Sequence, residues 1–147
     1  MDQPNLSPLH DLHLNNSAKF IEFAGWTMPF SYSGTINEHN FVRDDVGYFD
    51  VSHMGRLRID NKSIDLLSSL ICSDIKNLNY GKALYSIFTD DNGCALDDVI
   101  FWKFSTYILL ICNAINTDKI TTHLTVNNIN YEDITKETAL VAVQGPN

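Results

Sequence analysis

The fold is decided by residues 82–112, KALYSIFTDDNGCALDDVIFWKFSTYILLIC, in which three apolar runs are separated by two short polar segments. The first segment contains Asn92 and Gly93, a dipeptide that favours a tight β-hairpin. The second segment, Ser105 and Thr106, is short enough for another tight turn. The pattern therefore predicts three consecutive antiparallel strands at the centre of the fold.

The flanking sequence predicts helices and further strands around this centre. Capping residues and helical spacing predict helices over Leu9–Leu14, from Thr35 to about Val46, over 62–72 and over 117–128, the last with Ile120 and Leu124 facing inward. Alternating patterns predict strands over 18–25, 49–60 and 138–145, and 27–34 is predicted to be a turn. We expect one α+β domain, an antiparallel sheet with flanking helices.

Two adjacent acids, Asp97 and Asp98, interrupt the middle apolar run. Neighbouring strand residues point to opposite faces, so Asp97 shares a face with Val99 and Phe101, whereas Asp98 shares one with Ile100. Both faces are apolar, so periodicity does not decide which acid faces the covered side. The pair is either two acids that hold loop amides, or it includes a half-buried carboxylate that orients a bound amine or accepts its proton.

Composition and charge exclude several classes of partner. The chain has 147 residues, 44% of them hydrophobic and 19% charged, which is typical of a globular protein. Its net charge of −8 and the lack of a Lys/Arg run argue against binding to nucleic acid or to an anionic membrane surface. An anionic ligand would have to use a local cluster, for which the obvious donors are Arg43, Arg56, Arg58 and Lys82.

The cysteines and the N-terminal segment indicate an intracellular protein. Cys72, Cys94 and Cys112 are odd in number and widely spaced, which predicts buried free thiols in a reducing compartment. The N-terminal segment lacks the basic start and apolar stretch of a secretion signal, and no stretch is long and apolar enough to span a membrane. A cytoplasmic location is expected, or the mitochondrial matrix in a eukaryote.

The histidines and aromatic residues leave fewer functional clues. No paired Cys or His spacing suits a metal, so no metal site is expected, and His53 is predicted to be a buried, hydrogen-bonded residue. The aromatic residues either pack in the core or hold a flat heteroaromatic ligand between their rings. They are Trp26, Trp102, Phe20, Phe23, Phe30, Phe101 and Phe104.

Six segments, taken together, resemble the T-protein of the glycine cleavage system, an aminomethyltransferase that uses tetrahydrofolate. They are SPLHDLH (7–13), KFIEFAGWTMPFSY (19–32), INEHNFVRDDVGYFDVSHMG (36–55), GKALYSIFTDDNG (81–93), LDDVIF (96–101) and VAVQGPN (141–147). Their order and spacing agree along essentially the whole chain. The resemblance implies that residues 1–147 are the N-terminal part of the folate-binding region, an incomplete first domain of the T-protein fold.

The resemblance also implies a reaction and a set of site residues. Family members transfer a methylene group to tetrahydrofolate from the aminomethyl-lipoyl arm of the H-protein, and ammonia is released. By resemblance, Asp97 is the catalytic carboxylate that points into the folate site and Asp98 is structural. Met54, Tyr85 and Val99 would contact the folate, Val99 through its backbone.

Family members are more than twice as long as this chain, so the resemblance implies a fragment that carries part of the folate site. Two alternatives remain open at this stage. The first is a folate-binding relative without transfer activity, of the type that assists iron–sulfur assembly. The second is an inactive truncated product.

Overall fold

The computed structural model describes residues 3–147, which form two compact units. One unit comprises the chain up to His53 together with residues 136–147, and the other comprises Met54–Thr135. The boundary falls inside the segment 49–60, where the sequence pattern predicts a single strand. That segment contains the end of the strand Gly47–Asp50 and the whole of the strand Gly55–Asp60, and these two strands belong to different units.

The first unit contains a three-stranded sheet, a two-stranded sheet and two helices. The elements are β1 (Asn5–Leu6), α1 (His10–Asn15), β2 (Lys19–Phe23), β3 (Trp26–Ser31), α2 (Thr35–Asp44), β4 (Gly47–Asp50) and β10 (Val141–Gln144). In the first sheet β3 lies between β1 and β2, parallel to β1 and antiparallel to β2. In the second sheet β4 pairs with β10 in antiparallel orientation.

The prediction of a turn over 27–34 is wrong, because most of this segment forms β3. Pro29 suggested a turn, yet it is tolerated in a strand wherever the neighbouring ladder does not need its missing N–H. β1 pairs with β3 only at Trp26 and Thr27, so Pro29 lies beyond the reach of that ladder. The burial of Trp26 and Met28 holds the strand in place.

The second unit is built on a five-stranded antiparallel sheet. Its elements are β5 (Gly55–Asp60), α3 (Ile64–Ser68), β6 (Ala83–Thr89), β7 (Ala95–Lys103), β8 (Tyr107–Cys112), α4 (Thr117–Val126) and β9 (Tyr131–Asp133). The strand order in the sheet is β6-β7-β8-β5-β9. The three consecutive strands predicted over 82–112 are confirmed. The helix predicted over 62–72 is shorter, a 3-10 turn at Asn61–Ser63 followed by α3.

One face of this sheet, here called the covered face, packs against the helices. Leu67 of α3 and Ile120 and Leu124 of α4 are fully buried in the same cluster as the inward side chains of the strands, so the inward orientation predicted for α4 is confirmed. The strand members of the cluster are Leu57, Ile59, Phe88, Val99, Phe101, Ile108, Leu110 and Cys112. The opposite face, here called the open face, bears the alternate residues of each strand.

The structure corrects two predictions about single residues. Cys112 is buried, but Cys72 and Cys94 are exposed, since they lie in connecting segments outside the strands. All three thiols are free, as predicted. His53 is half-buried, and its ring packs edge-on against Phe23 at 5.3 Å between centroids.

Two kinds of feature are absent from residues 3–147. None of the helices is both long and apolar enough to cross a membrane. In the same residues, no three His, Cys, Asp or Glu side chains are arranged to hold a metal ion.

Candidate functional site

The acid pair lies in β7, and the hairpin register separates its two members. Asp97 is opposite Phe88 and shares the covered face with Val99 and Phe101. Only 5% of Asp97 is exposed to solvent, whereas Asp98, on the open face, is exposed. The ambiguity that periodicity leaves is therefore resolved by the helices, which cover the Asp97 side.

The buried carboxylate of Asp97 is fully paired. The backbone N–H of Asn113 donates to Oδ2 at 2.9 Å, and the side-chain amide of Asn113 donates to Oδ1 at 2.9 Å. Asn116 Nδ2 also donates to Oδ1, at 2.6 Å. A carboxylate needs such donors in order to remain charged when it is buried. These bonds tie the segment after β8 to β7.

The carboxylate of Asp98 has a different environment. Asn113 Nδ2 donates to its Oδ1 at 3.0 Å, and the Tyr85 hydroxyl donates to its Oδ2 at 3.3 Å. Local desolvation, followed by the charge of Asp98 and this hydrogen bond, raises the pKa of Tyr85 above its usual value. The phenol therefore remains a donor at neutral pH, and Asp98 presents an exposed carboxylate beside an aromatic ring.

Met54 lies in the bend just before β5. Gly55 is opposite Cys112, so continuing the register places Met54 level with Asn113. The register of β7 with β8, in which Ile100 is opposite Ile111, places Asp98 level with Asn113 as well. Met54 precedes β5 and Asn113 follows β8, so strand alternation assigns a face only to Asp98, which is on the open face with Tyr85. Met54 is half-buried, and its carbonyl accepts a hydrogen bond from Arg56 Nη1 at 2.6 Å.

The rest of the open face combines apolar and aromatic side chains with the charged residues Arg56, Arg58 and Glu132. Tyr85 is 60% exposed, Trp102 40% and Ile100 38%. Trp102 is followed by a stack in which the rings of Phe104 and Tyr107 lie 4.7 Å apart. An exposed carboxylate flanked by such side chains suits a flat heteroaromatic ligand that carries N–H donors.

The basic residues near this face are already paired. Arg56 is only 2% exposed and donates to the carbonyls of Met54 and Thr135. Arg58 forms an ion pair with Glu132 at 2.8 Å and lies over the Tyr107 ring. These two arginines therefore support the sheet, and they are poorly placed to bind an anion.

The structure brings together some of the residues predicted for the site and separates others. Tyr85 belongs to the open face, together with Asp98, whereas Met54 lies in the segment just before β5. The side chains of Asp97 and Val99 point to the covered face, where Val99 is 1% exposed. The ligand roles predicted for Asp97 and Val99 stay predictions, and the geometry favours Asp98 as the exposed carboxylate. Sequence reasoning missed Asn113, which becomes visible only through the strand registers.

A second polar cluster, in the first unit, was also missed. Asp50 Oδ2 accepts hydrogen bonds from Ser7 and from His13 Nε2, and Oδ1 accepts one from the Ser52 N–H. The other imidazole nitrogen of His13 lies 2.6 Å from the Tyr32 hydroxyl. Burial raises the pKa of Asp50, but hydrogen bonds from Ser52, Ser7 and His13 outweigh it and hold this pKa below its usual value.

Comparisons with known proteins agree with this architecture. The family described as "GCVT N-terminal domain" matches residues 9–147. An aminomethyltransferase of Bdellovibrio bacteriovorus is 42% identical over 95% of this chain and 40% of its own length. An aminomethyltransferase of Picosynechococcus sp. is 39% identical over the same shares of the two chains.

A solved structure shows the same fold. The crystal structure of glycine cleavage system aminomethyltransferase T from Bartonella henselae superposes with a TM-score of 0.82 at 31% identity, over 97% of this chain and 41% of that one. The chain thus spans about two fifths of the length of these relatives. On the strength of the match over residues 9–147, the chain belongs to the GCVT N-terminal domain family.

Proposed function

We propose that this chain supplies the N-terminal part of the folate-binding region of a tetrahydrofolate-dependent aminomethyltransferase of the glycine cleavage system. The observation that carries the proposal is the exposed Asp98 carboxylate between Tyr85 and Asn113, on the face that also bears Ile100 and Trp102. The relatives named aminomethyltransferase support it, and they favour a transferase over a folate-binding relative without transfer activity. The rest of the site would come from sequence that the longer relatives contain.

The reaction joins a folate nitrogen to a methylene carbon. The methylene comes from an aminomethyl group on the lipoyl arm of a partner H-protein. Its bonds to the amine nitrogen and to the lipoyl sulfur break, bonds to two folate nitrogens form, and the two folate protons leave with ammonia and with the lipoyl thiol. The folate amine loses a proton as its new C–N bond forms. A fixed carboxylate can orient that amine and stabilise the positive charge that develops on it. This chain would supply that carboxylate.

Within the acid pair, we assign this role to Asp98, although the resemblance points to Asp97. Three donors already engage the Asp97 carboxylate, and its side chain is turned toward the helices. To meet a ligand, Asp97 would have to break these hydrogen bonds in a buried site, at a cost of roughly 1–3 kcal/mol for each group left unpaired. Asp98 meets solvent without such a rearrangement.

The remaining contacts follow from the same face. Ile100 offers apolar surface to a pterin ring, and the Tyr85 ring borders the carboxylate. A contact of Met54 with the folate is proposed from the resemblance alone. Val99 would contribute only through its backbone, since its side chain is in the core. A pterin requires both a stacking surface and polar edges, and this combination provides them.

The test is a titration of the purified chain with tetrahydrofolate, followed by tryptophan fluorescence. Trp102 is exposed on the open face and Trp26 is buried, so a Trp102→Phe variant should lose most of the signal. We expect saturable binding that Asp98→Asn weakens. An Asp98→Asn variant that binds as tightly as the parent chain would contradict the assignment. Saturable binding lost in Asp97→Asn alone, with the fold intact, would instead restore Asp97 as the catalytic candidate.

A further inference from the structure

We propose that Asn113 is a positioning residue that holds Asp98 in the orientation in which it meets its ligand, an inference that rests on the proposed function. Asn113 is the first residue after β8, and none of the predicted site motifs includes it. Its side-chain amide contacts both members of the acid pair. It therefore links the buried acid to the exposed one.

The buried side of this link is rigid. The backbone N–H of Asn113 donates to Asp97 Oδ2 at 2.9 Å, and its Nδ2 donates to Asp97 Oδ1 at 2.9 Å. Asp97 is held among core side chains, so both the backbone and the side chain of Asn113 are fixed against it. Asp97 thus acts on Asp98 through Asn113. This explains why a buried acid lies beside the exposed one.

The exposed side of the link determines which oxygen of Asp98 is available. The Nδ2 of Asn113 lies 3.0 Å from Asp98 Oδ1 and 3.2 Å from the Asp98 backbone oxygen. Since Nδ2 has two hydrogens and also donates to Asp97 Oδ1, one of its N–H groups is shared between two acceptors. Within residues 3–147, the hydrogen bond to Asp98 Oδ2 is the longer 3.3 Å contact with the Tyr85 hydroxyl. An incoming N–H donor would therefore meet Oδ2 and displace or share the Tyr85 hydrogen bond, while Asn113 keeps Oδ1 in place.

The chain offers a matched control. Asn116 donates to Asp97 Oδ1 at 2.6 Å, and this bond does not involve Asp98. Asn116→Ala and Asn113→Ala each remove one amide from the buried carboxylate, but only Asn113→Ala removes the bond to Asp98. A purely structural role predicts similar effects for the two variants, and a positioning role predicts that only Asn113→Ala affects Asp98.

The first measurement requires no ligand. Three-bond NMR couplings report the χ1 rotamer of Asp98 in the parent chain, in Asn113→Ala and in Asn116→Ala. We expect a single rotamer in the parent and in Asn116→Ala, and rotamer averaging in Asn113→Ala. Asn113→Ser serves if Asn113→Ala fails to fold, because it keeps the backbone donor to Asp97 but is too short to replace the amide. Unchanged Asp98 couplings in the Asn113 variants would overturn the proposal.

The second measurement is tetrahydrofolate affinity in a double-mutant cycle. We expect Asn113→Ala to weaken binding about tenfold, and Asn116→Ala less than about twofold. If Asn113 acts through Asp98, then Asp98→Asn with Asn113→Ala binds no more than about twofold more weakly than Asp98→Asn alone. Additive losses would count against the positioning role. If the folded parent chain binds no folate, the proposed function fails, whereas the NMR comparison still decides whether Asn113 orients Asp98.

Discussion

His13 Nε2 lies 2.7 Å from Asp50 Oδ2, and the two side chains are only 8% and 1% exposed. The pair closes a network in which Ser7 and Ser52 also donate to Asp50. Replacing His13 by alanine leaves a buried carboxylate short of one donor. We expect the first unit to lose about 1–3 kcal/mol of unfolding free energy, measured by urea denaturation. The exposed His39 is the matched control, and an equal loss in His39→Ala would contradict this explanation.

The same network predicts a pH dependence. The pKa of Asp50 is lowered in the folded chain, since the hydrogen bonds from Ser52, Ser7 and His13 outweigh the effect of burial. A group with a depressed folded pKa contributes stability above its unfolded pKa, near 3.9 for Asp, and loses it as the pH falls through the folded value. Stability should therefore drop below about pH 4, and the drop should be smaller in Asp50→Asn than in the parent chain. If the unfolding free energies of the parent chain and of Asp50→Asn fall in parallel with pH, Asp50 is not responsible for the loss of stability.

The free energy of unfolding should distinguish the two acids of β7, Asp97 and Asp98. In Asp97→Asn, either orientation of the new amide turns its NH₂ group toward Asn113 or Asn116 donors, so we expect a loss of about 1–3 kcal/mol in denaturant unfolding. The exposed Asp98 should tolerate the same change within about 0.5 kcal/mol. Equal destabilisation by the two variants would mean that burial does not distinguish the acids.

Thiol labelling should distinguish the cysteines. Burial raises the pKa of Cys112 to about 11, and its sulfur lies 3.8 Å from the Thr117 hydroxyl. The thiolate is the reactive form, so Cys112 should react only after unfolding, whereas the exposed Cys72 and Cys94 should react in the native chain. A chromogenic disulfide reagent should count two fast thiols, and none in Cys72→Ser with Cys94→Ser. A third fast thiol in the native chain would show that the core around Cys112 opens readily.

Local signals in the sequence were sufficient for several elements. The Asn92 and Gly93 turn and the apolar runs around it correctly predicted β6, β7 and β8. The helix predicted from Thr35 also forms, and Glu38 accepts hydrogen bonds from the backbone N–H groups of Gly34 and Tyr32. These features depend on residues within a few positions of one another, so the sequence contains them directly.

Other features depended on distant partners. Pro29 predicts a turn, but burial of its neighbours makes the segment a strand. The strand predicted over 49–60 became β4 and β5, since β4 pairs with β10 and β5 pairs with β8 and β9. No local pattern encodes these pairings.

For the candidate site, the sequence determined the chemistry and the tertiary structure determined the assignment. Alternation along β7 was enough to place Asp97 with Val99 and Asp98 with Ile100. It did not determine which face the helices cover, because both faces are apolar. That was decided by α3 and α4, which pack on the Asp97 face, and by Asn113 and Asn116, whose amides come from 16 and 19 residues away. A buried carboxylate is stable only where such donors converge, and their convergence is a property of the folded chain.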